Sequence, residues 1–267
     1  MTATARPAIA LLTDFGLRDH YVAAMKGVML GICPEATFLD ISHEIPPQDV
    51  LGGALELEAV TPYLPRGTVV LGVVDPGVGS SRRGLAIQAR GLRFVGPDNG
   101  LFSLALGQPS PEVAVEITNR AFTRASISRT FEGRDRFAPA AAWLARGSQV
   151  ADLGETATDL VAVAVPQARA TSEGIDGVVL RADGFGNLVT NIWRNELSAL
   201  GQQVTVTVAD AIIASLSATY ADVAVGALCA LVGSTDRLEV SINGGNAAAS
   251  LGVTRGAAVR VLRCSGA

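Results

Sequence analysis

Three short apolar runs near the start of the chain set its architecture. They are "AIALL" (8–12), "TFLDI" (37–41) and "GTVVLGVV" (67–74). Each has the length of a buried strand. Between them lie "YVAAMKGVMLGI" (21–32) and "DVLGGALELEAVTPYL" (49–64), which have the length and residue types of helices. A chain that alternates strand and helix in this way builds an α/β domain with a largely parallel sheet. A further helix is expected over "FAPAAAWLARG" (137–147), with Gly147 as its stop.

The pattern changes near "VPQARATSEG" (165–174), where apolarity drops and Pro, Ser and Gly appear together. Residues 166–173 are expected to be a linker. It would divide an α/β N-terminal domain, residues 1–165, from a smaller β-rich, barrel-like C-terminal domain, residues 174–267. Beyond it come "GVVLRAD", "QVTVTVAD", "RLEVSI" and "AAVRVLR", short, valine-rich and punctuated by turns. "YADVAVGALCALVG" (220–233) fits strand and helix equally well.

Composition narrows the class of partner. Net charge is -4 and pI near 5.3, which gives no electrostatic footing for nucleic acid. No apolar run approaches the roughly 20 residues of a membrane span, so no membrane partner is expected. The N-terminus has too short an apolar run for a signal peptide. Cys33, Cys229 and Cys264 are odd in number and far apart, as free thiols of a reducing compartment are. A cytoplasmic location is the expectation.

Polar residues gather where the strands end. Asp14 follows the first, Asp40 and His43 close the second, Asp75 follows the third, and Asp98 and Asn99 end "FVGPDNG". In open α/β sheets ligands collect beyond the carboxyl ends of the strands. An Asp before Gly is also an ordinary turn residue, so the collection carries the argument rather than any one member. "GVGSSRRG" has neither the lysine of a phosphate-binding loop nor the spacing of a dinucleotide fingerprint. Two histidines, His20 and His43, are too few and too separated for a zinc site, and no metal is expected. What remains is a neutral or cationic small ligand met by Asp, Asn and backbone groups.

Seven motifs in order, "TDFGLRDHYVAAMKG", "DISHEIPPQDV", "VVDPGVGSSRR", "VGPDNGLF", "FEGRDRFAPAAA", "DGFGNLVTNI" and "GNAA", span residue 13 to about 250. Together they resemble the S-adenosylmethionine (SAM) hydroxide adenosyltransferases, or SAM hydrolases, relatives of the fluorinase and chlorinase. The resemblance implies two domains and a homotrimer with active sites between subunits. It also implies attack of water or hydroxide on C5′ of SAM to give adenosine and methionine, with SAM as substrate and no cofactor.

It also implies roles for individual residues. Asp14 would hold the ribose hydroxyls, Asp19 would face the methionine ammonium, and Tyr21 would border that end. Asp183 would bind the amino group, Phe185 would pack on the ligand, and Asn187 would reach adenine. Ser234 and Arg237 of "GSTDR" would take the methionine carboxylate. Asn246 and Ala247 would line the adenine edge. Asp75 and Arg82 match the family's acid and arginine across a glycine turn, with Arg83 as the neighbouring alternative.

One position departs from the pattern. The hydrolases read Phe-His-Gly-Arg-Asp where this chain reads "FEGRD", with Glu132 in the place of the histidine. Glu132 is then a changed base, a dispensable drift, or a second carboxylate that crowds Asp75 and repels hydroxide. The last case leaves a SAM- or adenosine-binding protein with little turnover. A halogenase is a further alternative, disfavoured because only 27 residues separate Ile45 from Val73, with little room for the loop fluorinases insert there.

Overall fold

Alternate residues of the first strand go to opposite sides of a sheet. Ile9 and Leu11 pack into one core and Leu12 into another, as the two-residue period of an extended chain requires. The computed structural model describes residues 6–108, 110–201 and 203–263. It divides into two compact units, Met1–Ala164 and Val165–Ala267. Cys264 lies outside the described residues, while Cys33 and Cys229 are buried free thiols.

The first unit is built on β1 (Ala8–Thr13), β2 (Thr37–Ser42), β3 (Val69–Val73), β4 (Gly84–Ala89), β5 (Leu92–Pro97), β6 (Val113–Ile117) and β7 (Gly154–Thr156). They form one sheet in the order β2-β1-β3-β5-β4-β6-β7. The pairs β1–β2, β1–β3 and β3–β5 are parallel, and β4–β5, β4–β6 and β6–β7 are antiparallel. Only β4 and β7 therefore run against the rest, so the sheet is mixed but mostly parallel. The reversal at β4 comes from a two-residue hairpin in which Arg90 and Gly91 both adopt positive φ, 54° and 77°. That pair of angles is what the right-handed strand twist favours.

Helices cover both faces. On one, α1 (Tyr21–Ile32) contributes Met25 and Met29. On the other, α2 (Val50–Val60) and α3 (Ser103–Leu106) contribute Leu57, Ala105 and Leu106. The first face is completed by α4 (Ala138–Arg146), which ends where Gly147 turns left-handed at φ 118°. The α2 terminus is capped by Asp49, which accepts from Gly52 N at 3.0 Å, a contact of about 1 kcal/mol. Thr13 of β1 pairs with Val73 of β3 in parallel register. Asp14 and Asp75 thus leave neighbouring parallel strands at the same, carboxyl, end.

The second unit contains β8 (Arg169–Ala170), β9 (Gly174–Ala182), β10 (Leu188–Trp193), β11 (Val204–Val208), β12 (Ala211–Ile213), β13 (Leu216–Ser217), β14 (Leu228–Val232), β15 (Arg237–Ile242) and β16 (Ala258–Arg263). Two short helices, α5 (Arg194–Ser198) and α6 (Ala247–Leu251), complete it. The strand order is β12-β11-β16-β9-β10-β15-β14-β13, with β8 paired to β9. Its ends approach each other, β11 to β13 and β12 to β14, so the sheet is nearly closed, as a barrel is. Part of the expected linker is structured, because Arg169 and Ala170 extend the sheet beside β9. The ambiguous segment resolves into a 3₁₀ turn at Tyr220–Asp222 and strand β14.

Candidate active site

The loop from β3 to β4 brings its one carboxylate, Asp75, and the first of its two arginines, Arg82, together. Arg82 Nε donates to Asp75 Oδ1 at 2.9 Å and to Oδ2 at 3.1 Å, and its second terminal nitrogen also bonds Oδ2. The fork matches a carboxylate edge, which a lysine cannot do. The other terminal nitrogen donates to Glu132 Oε2 at 3.0 Å. The Arg82, Asp75 and Glu132 side chains are 10%, 5% and 8% exposed. Burial would lower the Arg82 pKa. Hydrogen bonding and charge from Asp75, with the charge of Glu132, outweigh it and hold the guanidinium above its ordinary value. Arg82 is therefore a fixed cation.

Glu132 does not meet Asp75 directly, because Arg82 stands between them. A second cation, Arg136 Nε, lies 3.3 Å from Glu132 Oε2. The Arg82 guanidinium carbon also lies 5.2 Å from the centre of the Phe137 ring. The loop itself depends on Gly79, at φ 76°, where a Cβ would sit 2.6 Å from the Arg129 carbonyl oxygen.

Asp75 and Glu132 open onto a cleft of 320 Å³, which Asp14, Phe15, Tyr21, Gln48 and Phe131 also line. Asp14 accepts the Gln48 N–H at 2.8 Å. Tyr21 packs edge-on against Phe131 at 5.1 Å and lies 5.7 Å from Phe15, centre to centre. Four of the six residues singled out in this unit, Asp14, Tyr21, Asp75 and Glu132, thus share one cleft. Arg82 braces it from behind. Asp19 is exposed just before α1 and does not line the cleft. A larger cleft, of 710 Å³, runs along Leu106, Glu112, Thr158 and Asp159 and contains none of these groups.

The remaining strand-end groups are tied up locally. Arg83 bonds Asp98 through Nε at 2.8 Å and also donates to the Thr158 carbonyl at 2.9 Å, so it points away from Asp75. Asn99 donates to the Val74 carbonyl at 2.8 Å. His43 is buried, with Nδ1 2.9 Å from Thr13 Oγ1 and Nε2 3.1 Å from Asp40 Oδ1. Its backbone carbonyl accepts from Gly16 N at 2.7 Å, which ties the Asp14 loop to the end of β2. Among the described residues, no three His, Cys, Asp or Glu side chains gather as a metal site.

In the second unit, Asp183 braces its own turn. Its Oδ1 accepts from Phe185 N at 2.9 Å and Asn187 N at 2.8 Å, and its Oδ2 accepts from Asn187 Nδ2 at 2.9 Å. Asn187 is buried, whereas Phe185 at the tip is 80% exposed. This turn packs on the "GNAA" segment, where Ala248 N donates to the Gly186 carbonyl at 3.0 Å. Asn246 caps α6 by accepting from Ala249 N at 2.8 Å, and Ala247 is buried beneath. Ser234 is exposed. Arg237 is buried, its guanidinium carbon 3.6 Å from the centre of the Trp193 ring. Two further carboxyl and phenol groups sit nearby: Tyr220 donates to Glu239 at 3.1 Å, and burial with the Glu239 charge pushes the phenol up to about 12.

Sequence reasoning did not single out Phe15, Gln48, Phe131 or Arg136. Arg136 had one legible signal, its position four residues after Glu132.

Comparison with known proteins agrees with this division. The SAM hydroxide adenosyltransferase N-terminal domain matches residues 9–154 and the C-terminal domain of the same name matches residues 177–260. The chain is 43% identical to an (R)-S-adenosyl-L-methionine hydrolase of Salinispora tropica, over 96% of this chain and 97% of that one. It is 39% identical to the enzyme of that name from Thermus thermophilus, over 95% and 99%. A fluorinase from Actinopolyspora mzabensis is 29% identical over 97% and 98%. A solved structure of an uncharacterised conserved protein from Thermotoga maritima superposes with a TM-score of 0.90 at 32% identity, over 96% of this chain and 100% of that one. Two domain models matched in order, one to each unit, and relatives alike along their whole length make this chain a member of the SAM hydroxide adenosyltransferase family.

Proposed function

We propose that this protein hydrolyses S-adenosyl-L-methionine to adenosine and L-methionine. The observation that carries the reading is the Asp75–Arg82–Glu132 constellation, whose two carboxylates line the cleft while Arg82 bonds both from behind. Water oxygen attacks C5′, the C5′–S bond breaks and its electron pair returns to sulfur, releasing neutral methionine thioether; one proton of the water stays on the new 5′-hydroxyl and the other passes to solvent. Asp75 accepts a hydrogen bond from the water and aims it. Arg82 supplies positive charge where hydroxide character develops. No cofactor is needed, because the sulfonium is itself the activated leaving group.

Substrate would be held by Asp14 and Tyr21 in the cleft, with Asp19 toward the ammonium. The residues of the second unit, Asp183, Phe185, Asn187, Ser234, Arg237, Asn246 and Ala247, would close over it. A homotrimer with sites between neighbouring subunits belongs to the same reading, and Phe185 is the exposed aromatic such a neighbour would cover. A cytoplasmic location fits the free buried thiols. No helix among the described residues is long and apolar enough to cross a membrane.

Glu132 in the place of the family histidine favours a second reading, a SAM-binding protein with little turnover. Incubating the pure protein with SAM and separating the products by chromatography decides between them. Adenosine and methionine in equal amounts support hydrolysis. Tight SAM binding without adenosine sinks it. A 5′-halogenated nucleoside formed in added chloride or fluoride would point to halide in place of water.

A further inference from the structure

We propose that Arg136 is a positioning residue for this reaction, and that Glu132 and Arg136 act as one compensating couple that keeps Arg82 seated on Asp75. The inference rests on the hydrolase reading above.

One oxygen of Glu132, Oε2, carries both contacts: the Arg82 terminal nitrogen at 3.0 Å and Arg136 Nε at 3.3 Å. The Glu132 side chain is 8% exposed and that of Arg136 is 23% exposed. Arg136 Nε is buried and makes no well-aligned hydrogen bond, so its bearing on Glu132 is electrostatic. Four charges then alternate, Asp75 negative, Arg82 positive, Glu132 negative, Arg136 positive, and cancel.

Without Arg136 a buried second carboxylate would draw Arg82 toward itself and add negative charge where a hydroxide-like nucleophile has to form. The backbone makes the couple possible. Gly133–Phe137 is a single π-helical turn that begins directly after Glu132, so residues 132 and 136 fall on one face. Such turns are rare and concentrate at functional sites. The stem of Arg136 lies over the first residue of β4, where a Cβ on Gly84 would come within 2.9 Å of its Cδ.

The test is a double-substitution cycle: wild type, Glu132→Gln, Arg136→Met and the pair together. Met keeps an unbranched stem over Gly84 and removes only the charged head. In the presence of Glu132, Arg136→Met is expected to lower kcat about tenfold with KM nearly unchanged, and in the Glu132→Gln background less than about twofold. Equal losses in both backgrounds, or a loss confined to KM, would overturn the couple. Failure of the underlying reading is distinguishable, because it appears in the unsubstituted protein as SAM that is never converted to adenosine. The same four proteins then report through their melting temperatures. A loss on Arg136→Met that disappears with Glu132→Gln supports the couple, and an equal loss in both overturns it.

Discussion

Asp75 and Arg82 lie near the two ends of one loop and close it on each other, with Arg82 Nε 2.9 Å from Asp75 Oδ1. The contact fixes the carboxylate that faces the cleft and leaves the cation behind it. On the proposed reading neither group changes partner when substrate binds, so their effect should fall on the chemical step. Asp75→Ala and Arg82→Ala are each expected to lower kcat by about a hundredfold or more while KM moves only a few-fold. Arg82→Lys should also be slow, since one ammonium cannot serve Asp75 and Glu132 at once. Steady-state kinetics checks this, and wild-type turnover in all three would remove the pair from the mechanism.

Gly79 holds that loop in shape. Its φ of 76° is costly for any residue with a Cβ, and the Arg129 carbonyl fills the space the Cβ would need. Gly79→Ala should destabilise the protein by about 1–3 kcal/mol. It should also reduce turnover, because Asp75 and Arg82 lie on either side. Chemical denaturation and kinetics on the same preparation measure both. A variant with unchanged stability would show that the loop relaxes freely.

Asp135 should leave a mark on acid stability. Its side chain is 1% exposed, with Arg134 Nε at 2.7 Å, Arg124 Nε at 3.3 Å and Ser128 N–H at 2.9 Å. The hydrogen bond from Arg134 is the leading cause that holds its carboxyl below the usual range, against burial, and Ser128 and Arg124 add to it. The folded acid therefore binds its proton more weakly than the unfolded one. This stabilisation is complete above the unfolded pKa of about 3.9 and is lost as pH falls through the lower folded value. Asp135→Asn should lower the melting temperature at pH 7, and the gap to wild type should narrow below about pH 4. A constant gap from pH 7 to pH 3 would contradict the assignment.

How far the sequence could be read depended on whether a local signal coincided with the tertiary one. The strands β1 and β3 and the helix α1 were legible because their local apolar patterns coincide with buried faces. The β4–β5 hairpin was not, since Arg90 at φ 54° is an unusual choice for its turn and no Asn-Gly marks it. Asp75 stood out at a strand end, and the family resemblance rather than the turn itself paired it with Arg82 in preference to Arg83. Glu132 was legible as a departure, but its neighbours were not. Nothing in a linear reading says that Arg82 will stand between two carboxylates or that Arg136 will take up the second charge. Asp98 looked like a further site residue and instead anchors Arg83 and accepts the Val161 N–H. The Arg237 guanidinium lies against Trp193, a contact that neither residue announces alone.

The last prediction concerns assembly. The Asp183–Asn187 turn and Asp14 belong to different units of the chain, and the proposed homotrimer would complete each site with a neighbour's second unit. Asp14→Ala and Asn187→Ala proteins should each be slow on their own. Mixed and allowed to exchange subunits, they should form sites in which one chain supplies an intact Asp14 and the next an intact Asn187. Random assembly of equal amounts gives about a quarter of sites with both groups. Turnover should therefore rise toward about a quarter of the wild-type value, with a time course set by subunit exchange. Asn187→Ala also removes a brace of the turn, since its amide holds Asp183 Oδ2. Asn246→Ala offers an independent second partner for the same mixing experiment. If each site were made within one chain, no mixture could contain an intact site, and activity would stay at the sum of the two parents. A monomer in light scattering at assay concentration would rule out the arrangement before any mixing.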